Sequence, residues 1–191
     1  MLGDLGRLFV ISSALSACSG GDGKDCPLGD LSAPPEMQLF QHVGVGEPVA
    51  LQPMDSIALE QPPQGGWVFY IVPHVSNLDG CGLQLETSLI DTVSQQIVVF
   101  ESRPVTLADD GTGVGVPLDV SGEGLVAACP QAMPSRDLFG VPYTLHVVAT
   151  DVHGQSAEAK VDIVPMCSDP YCTCQCSASY HLGDDCSQGA P

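Results

Sequence analysis

Apolar and polar residues alternate most regularly near the end of the chain. From Tyr143 to Thr150 the odd-numbered residues are apolar, while Thr144, His146 and Thr150 fall on the opposite face. Alternation with a period of two is typical of a strand that is buried on one face. The segment from Ser156 to Val164 alternates in the same way, and a turn-forming segment separates the two. The pattern predicts an antiparallel hairpin with one apolar face.

Earlier segments are short, extended in character and closed by Pro, Gly, Asn or Asp. The run from Trp67 to Val72 is apolar throughout, as expected for a central strand covered on both faces. No segment has a convincing helical period. The chain is therefore expected to be all-β. The other predicted strands are 37–43, 57–60, 82–90 and 95–100.

Two aromatic residues relate this pattern to a known architecture. Tyr143 heads a strand of the predicted hairpin, and Trp67 begins the apolar strand. Over residues 36–165 the pattern resembles immunoglobulin-like, fibronectin type III and cadherin-like sandwiches, in which a corner tyrosine bonds upstream backbone and a tryptophan lies in the core. Leu145 stands where antibody domains have a cysteine. The resemblance implies an antiparallel immunoglobulin-like β-sandwich with a small disulfide-rich C-terminal tail.

The tail, residues 166–191, differs in composition from the preceding segment and contains five cysteines. Its second half resembles part of an epidermal-growth-factor-like module. Because five is an odd number, at least one tail cysteine is expected to pair with Cys26, Cys81 or Cys129. The residues that carry the resemblance are Cys174, Cys176, Tyr180 and Cys186.

The first residues have the form of an export signal. An apolar run from Leu8 follows the basic Arg7 and ends in Leu15-Ser16-Ala17-Cys18. These residues resemble the lipobox of Gram-negative bacterial lipoproteins. The resemblance implies that residues 1–17 are a signal peptide and that Cys18 becomes the N-terminus and carries diacylglycerol on its thiol.

The residues after the expected cleavage site bear on where the mature protein lies. Ser19 follows the cysteine where Asp would imply retention in the inner membrane, so the resemblance favours an outer-membrane lipid anchor in the bacterial cell envelope, on either its periplasmic or its surface face. Residues 18–35 are mostly polar and glycine-rich, which predicts a flexible linker between the lipid and the sandwich. The membrane is thus the first expected partner.

The cysteine count indicates disulfide bonds. The chain has nine cysteines, and lipid on Cys18 leaves an even number, as is usual for exported domains. Eight cysteines allow 105 pairings, among which sequence does not choose. The Cys-x-Cys-x-Cys run could instead bind zinc or copper, but structural zinc sites usually space paired ligands by two to four residues, so no metal is expected. The disulfide candidates are Cys26, Cys81, Cys129, Cys167, Cys172, Cys174, Cys176 and Cys186.

Charge narrows the choice of partners. Five Lys and Arg residues against 23 Asp and Glu residues give a net charge of -18. Nucleic acid is excluded as an expected partner because phosphate binding needs clustered basic side chains. The acidic excess is interpreted as a means of solubility. The turn residues Asp79, Asp109, Asp110 and Asp151 are the candidates for calcium, although the acidic triplets of cadherin-like domains are missing.

The sequence contains no catalytic motif of a common class. Neither His-Glu-x-x-His nor Gly-x-Ser-x-Gly occurs, and the histidines are scattered, with only His146 and His153 flanking one turn. We therefore expect no enzyme, no catalytic residue and no cofactor. The hypothesis is a noncatalytic binding or structural module that contacts an envelope protein or glycan, its ligand being unknown. A solute- or calcium-binding lipoprotein, and a hydrolase with a site assembled from distant residues, are the alternatives.

Overall fold

The structure is a computed structural model that describes residues 26–42, 47–131 and 135–187. The expected signal peptide, Cys18 and the first part of the expected linker lie outside the described residues. Within the described part of the chain, no helix has the length and apolar character needed to cross a membrane. The elements are β1 (Pro27–Leu28), β2 (Glu36–Gln41), β3 (Val49–Ala50), β4 (Asp55–Ala58), β5 (Trp67–Ser76), β6 (Leu78–Asp79), β7 (Leu83–Asp91), β8 (Ile97–Val105), β9 (Leu107–Asp109), β10 (Val114–Pro117), β11 (Gly124–Cys129), β12 (Tyr143–Thr150), β13 (Ser156–Met166) and α1 (Pro170–Gln175).

Two larger sheets make up the body of the molecule. One has the strand order β4-β13-β12-β7-β8, in which only the β4-β13 pair is parallel. The other has the order β3-β2-β5-β10-β9, and β11 pairs with the first half of β5. A short ribbon of β1 and β6 completes the fold. The prediction of an all-β fold in antiparallel sheets with a disulfide-rich C-terminal region is confirmed.

The inner faces of the two sheets share one hydrophobic core. Ile71 and Val126 come from one sheet, Leu89 and Leu145 come from the other, and all four side chains are fully buried. Each strand contributes alternate residues to this core because successive side chains of a strand point to opposite faces. The arrangement is a β-sandwich.

The strands with the clearest sequence pattern have nearly the expected bounds. β12 coincides with the predicted segment, and β13 extends through Met166. β5 is the central strand that its apolar run predicts, and it pairs with β2 on one side and with β10 and β11 on the other. β8 begins at Ile97 and continues to Val105, well beyond the predicted segment.

The end of the expected linker belongs to the folded body. Leu28 is 1% exposed and lies in the core, and Pro27 pairs with Asp79 across the β1-β6 ribbon. The sparse apolar side chains of residues 18–35 predict a flexible segment. The described part of this segment, from Cys26 onward, instead belongs to the folded body, because the side chain of Leu28 is buried.

The sandwich has two ends, an amino end and a tail end. The amino end contains the β1-β6 ribbon, Gly82 and the turn 151–155, and Thr150 pairs there with Gln84. The tail end contains Cys129 and the residues after Met166. β12 connects the two ends, and a strand of its length spans roughly 25 Å.

Candidate functional site

Disulfide bonds pair all eight cysteines of the described residues, which confirms the prediction of disulfides. One bond fixes Cys26 to the amino end, and another joins the sandwich to the tail through Cys129. The remaining two lie within the tail. The pairs are Cys26–Cys81, Cys129–Cys176, Cys167–Cys172 and Cys174–Cys186.

The tail packs on the sandwich through more than its disulfide. Asp169 caps α1 by accepting a hydrogen bond from the backbone nitrogen of Cys172 at 2.9 Å. Trp67 Nε1 donates to Gln175 Oε1 at 2.9 Å, and the backbone nitrogen of Leu138 donates to the Cys176 carbonyl at 2.9 Å. The Trp67 side chain therefore connects the central strand to the tail helix.

The cysteine cluster is compact enough for a metal site, but its sulfur atoms form disulfide bonds. The sulfur atoms of Cys167, Cys172 and Cys176 lie within 4.8 Å of one another, and those of Cys172 and Cys176 are 3.8 Å apart. Each of these sulfurs belongs to a disulfide, whereas zinc and copper bind thiolates. In this oxidised form the cluster stabilises the junction of tail and sandwich.

Asp79 and Asp151, two of the calcium candidates, meet at the amino end. Asp79 is 3% exposed, and its Oδ1 accepts hydrogen bonds from the backbone nitrogens of Cys26 and Cys81 at 3.1 and 3.0 Å. Its own backbone nitrogen donates to Asp151 Oδ2 at 3.4 Å. The buried carboxylate thus holds together the two strands that the Cys26–Cys81 bond joins.

The other acidic candidates hold their own loops in the same manner. Asp151 Oδ1 accepts from the backbone nitrogens of His153 and Gln155 at 2.8 and 2.9 Å. Asp109 and Asp110 accept hydrogen bonds from backbone nitrogens within residues 111–113. Among the described residues, both groups of three candidate ligand atoms within 4.8 Å contain disulfide-bonded cysteines. These carboxylates are therefore occupied in shaping turns.

The histidines have separate partners. His146 Nε2 lies 3.0 Å from Glu158 Oε2, and His153 Nε2 lies 3.7 Å from Asp79 Oδ2, so the two histidines that flank the last turn pair with different carboxylates. The hydrogen bond from His146 lowers the pKa of Glu158. The further contacts are His42 with Glu123, His181 with Asp184, and the His74 ring stacked on Phe40 at 3.9 Å.

A buried carboxylate directly before β11 was not singled out by sequence. Glu123 precedes β11 and is 5% exposed, and its Oε1 lies 3.0 Å from His42 Nε2. Its Oε2 is buried without a hydrogen-bond partner in the described part of the chain. The only sequence signal for this residue is that it is an isolated acidic residue just before an apolar segment. Burying a carboxylate oxygen without a hydrogen-bond partner costs free energy of folding, so Glu123 is an unusual residue at this position.

The Tyr143 side chain bonds backbone upstream of the strand that it begins. Its hydroxyl donates to the carbonyl of Asp137 at 2.9 Å, six residues upstream, and its ring is fully buried. Arg136 lies over the ring, with its Cζ 4.6 Å from the ring centroid, and donates to the Pro142 carbonyl. Burial raises the pKa of Tyr143, so the hydroxyl remains a donor at neutral pH.

Asp91 lies beside the same arginine and accepts hydrogen bonds from its own turn. The Val93 amide and the Ser94 hydroxyl donate to its carboxylate at 2.9 and 3.0 Å, and Arg136 Nη1 lies 3.3 Å away. These contacts, led by the Val93 amide, hold the pKa of Asp91 below its usual value. Sequence reasoning missed Asp91 and Arg136 because they are distant in sequence and share no motif.

We expect the Asp91 contacts to contribute stability above about pH 4, the ordinary aspartate pKa. Because its folded-state pKa is lowered, that contribution falls as pH decreases through the folded-state value. An Asp91→Asn variant should therefore lose less stability than the parent between pH 7 and pH 3, as measured by urea unfolding. Equal losses in the two proteins would contradict the assignment.

A cavity of about 370 Å³ opens at the amino end. It is lined by Gly82, the segment 104–106, Leu118, Asp119 and Ser121. A neighbouring cavity of about 260 Å³ lies between residues 26–28 and 106–109. Thr106 lines both, so the start of the described chain lies next to the larger cavity.

The chain matches no protein-family model and no curated protein.

Proposed function

We propose that this protein is an exported lipoprotein, anchored through Cys18 to the bacterial outer membrane, whose sandwich is a noncatalytic binding or structural module. The observation that carries the proposal is the cysteine pairing. The eight cysteines from Cys26 onward pair among themselves, so Cys18 takes no part in those four bonds. A single remaining cysteine at the end of a lipobox-like sequence is the residue that a lipid would modify.

The disulfides also support an exported location. Four disulfides in one small chain are typical of an oxidising compartment, because cytosolic thiols are kept reduced. The bond at Cys26 would fix the end of the tether to the sandwich, so that the lipid holds a folded domain.

The proposed domain type is immunoglobulin-like. The Tyr143 hydroxyl bonds the upstream Asp137 carbonyl, as a tyrosine corner does, and Trp67 is 4% exposed at the start of the central strand. These two features support the assignment. The parallel pairing of the edge strand β4 with β13 is compatible with it.

A binding role finds support at the tail end. Val93, Tyr171 and Leu182 are exposed there, and the tail that carries two of them is held rigidly by Cys129–Cys176. With the tether at the opposite end, this surface would point away from the membrane and towards an envelope protein or glycan. Sandwiches host many functions, so the ligand is not assigned.

Fractionation of cells that express the full-length chain tests the anchor. We expect the parent protein in the outer-membrane fraction, with the mass of a diacylglycerol on Cys18, and a Cys18→Ser variant in a soluble fraction. A Ser19→Asp variant is the matched control, since it should keep the lipid and move to the inner membrane. A Cys18→Ser variant that stays in the membrane, or an unmodified Cys18 in the parent, would refute the proposal.

A further inference from the structure

Three exposed aliphatic side chains lie on loops at or next to the cavity at the amino end. Leu118, Val120 and Val152 are 79%, 63% and 64% exposed. Leu118 and Gly82 both line the cavity, and a Cβ built on Gly82 would lie 3.7 Å from Val152 Cγ1. Two separate loops therefore place large apolar groups on one surface. Clustered exposed apolar groups mark an interaction surface.

The start of the described chain lies at the same surface. Cys26 is bonded to Cys81, which immediately precedes Gly82. Cys26 lies eight positions after Cys18, and a chain of that length spans roughly 28 Å at most. A lipid on Cys18 would hold the amino end within that distance of the bilayer surface.

We propose that Leu118, Val120 and Val152 dock in the interfacial layer of the membrane that holds the lipid anchor. The inference rests on the proposed lipid anchor. The tether keeps the loops near the bilayer, so their local concentration at its surface is high. A few apolar side chains then suffice for contact, because the binding is effectively intramolecular. The sandwich would then stand on its amino end, with the tail end directed away from the membrane.

Charged groups determine how deeply the loops insert and which lipid headgroups they favour. Asp119 lies between two of the aliphatic tips, and hydrogen bonds from the Ser121 hydroxyl and amide lower its pKa, so it stays charged at neutral pH. A charged carboxylate remains in the headgroup layer, which limits the tips to shallow insertion. The net charge of -18 disfavours anionic lipids. The surface therefore fits a bilayer of zwitterionic phospholipid.

Fluorescence quenching by brominated lipid tests the docking in the lipidated, full-length protein. Val120→Trp and Val152→Trp variants are purified from membranes and reconstituted in phosphatidylethanolamine and phosphatidylcholine vesicles, with or without brominated acyl chains. The single native tryptophan, Trp67, is buried at the far end of the sandwich and supplies a constant background. Val93→Trp, at an exposed turn of the tail end, is the matched control.

We expect the introduced indoles at positions 120 and 152 to emit at least about twofold less light in brominated vesicles, and the indole at position 93 to be unaffected. Lipid on Cys18 without quenching at either loop would overturn the docking and leave the anchor standing. Absence of the lipid would overturn the anchor, and the docking with it. Quenching at position 93 as well would overturn the orientation.

A second copy of the chain is the competing occupant of this surface. In that case the Val120→Trp emission would shift to shorter wavelength as lipid-free Cys18→Ser protein is concentrated without vesicles, which would overturn the membrane assignment. An emission spectrum that is independent of concentration, together with quenching in the lipidated protein, supports it.

Discussion

Replacing Cys129 and Cys176 together by alanine is expected to lower the free energy of unfolding by about 4 kcal/mol. The two residues are 47 positions apart, and their bond joins the end of β11 to the tail. A cross-link stabilises mainly by reducing the entropy of the unfolded chain, and the reduction grows with the length of the closed loop. Urea unfolding without reductant measures the change.

The two bonds within the tail provide matched controls. Their cysteines are 5 and 12 positions apart, so paired alanine substitution at Cys167 and Cys172, or at Cys174 and Cys186, should cost only about 2 and 3 kcal/mol. A greater cost for either short bond than for Cys129–Cys176 would refute the loop-length argument. Such a result would place the main stabilising contribution within the tail itself.

A Leu28→Ala substitution is expected to cost about 2–5 kcal/mol, as is usual for a buried leucine. Leu28 is 1% exposed although it lies in a segment with few apolar residues. Its side chain fills the space above Gly115, where a Cβ would overlap Leu28 Cδ1. The substitution therefore leaves a cavity between β1 and β10, and the loss is measured by urea unfolding.

Leu31→Ala is the control for this prediction. Leu31 lies three residues further on and is 40% exposed, so the same change there should alter stability by only about 0.5 kcal/mol. A Gly115→Ala substitution should also destabilise the parent, yet cost less in the Leu28→Ala background, since the smaller side chain leaves room for the new methyl group. Equal losses for Leu28→Ala and Leu31→Ala would show that the N-terminal segment is not part of the core.

The position of Leu28 matters for the proposed anchoring. Since Leu28 and the Cys26 disulfide fix the start of the described chain to the amino end, a lipid on Cys18 would be connected by a short tether. The tail would lie at the opposite end of β12. This geometry explains how one molecule could have a membrane-facing end and a separate ligand-facing end.

The local pattern was sufficient for the strands that alternate clearly. The hairpin of β12 and β13 follows from alternation along neighbouring residues, and the central place of β5 follows from its uninterrupted apolar run. β10 and β11 were not predicted, because glycine weakens a strand pattern and Gly115 lies within β10 while Gly124 begins β11. Both glycines are needed for close approach, by Leu28 and by Thr87 respectively, which only the packed structure reveals.

The residues of the candidate site likewise fall into those that the local sequence indicated and those that only the fold brings together. A pattern within a few residues indicated the lipobox-like motif at Cys18, and parity indicated that the other cysteines pair. The partners themselves, such as Cys129 with Cys176, depend on which strands lie together. The Asp91–Arg136 contact likewise joins residues distant in sequence.

By itself, the sequence determined the all-β class and the disulfide chemistry, because residue type and short-range periodicity are local properties of a chain. Only the tertiary structure decided that Leu28 is a core residue, that the tail is bonded to β11, and that Leu118 and Val152 lie on one surface. These features arise when two sheets pack face to face, since packing brings together residues whose separation along the chain carries no information about their distance in space.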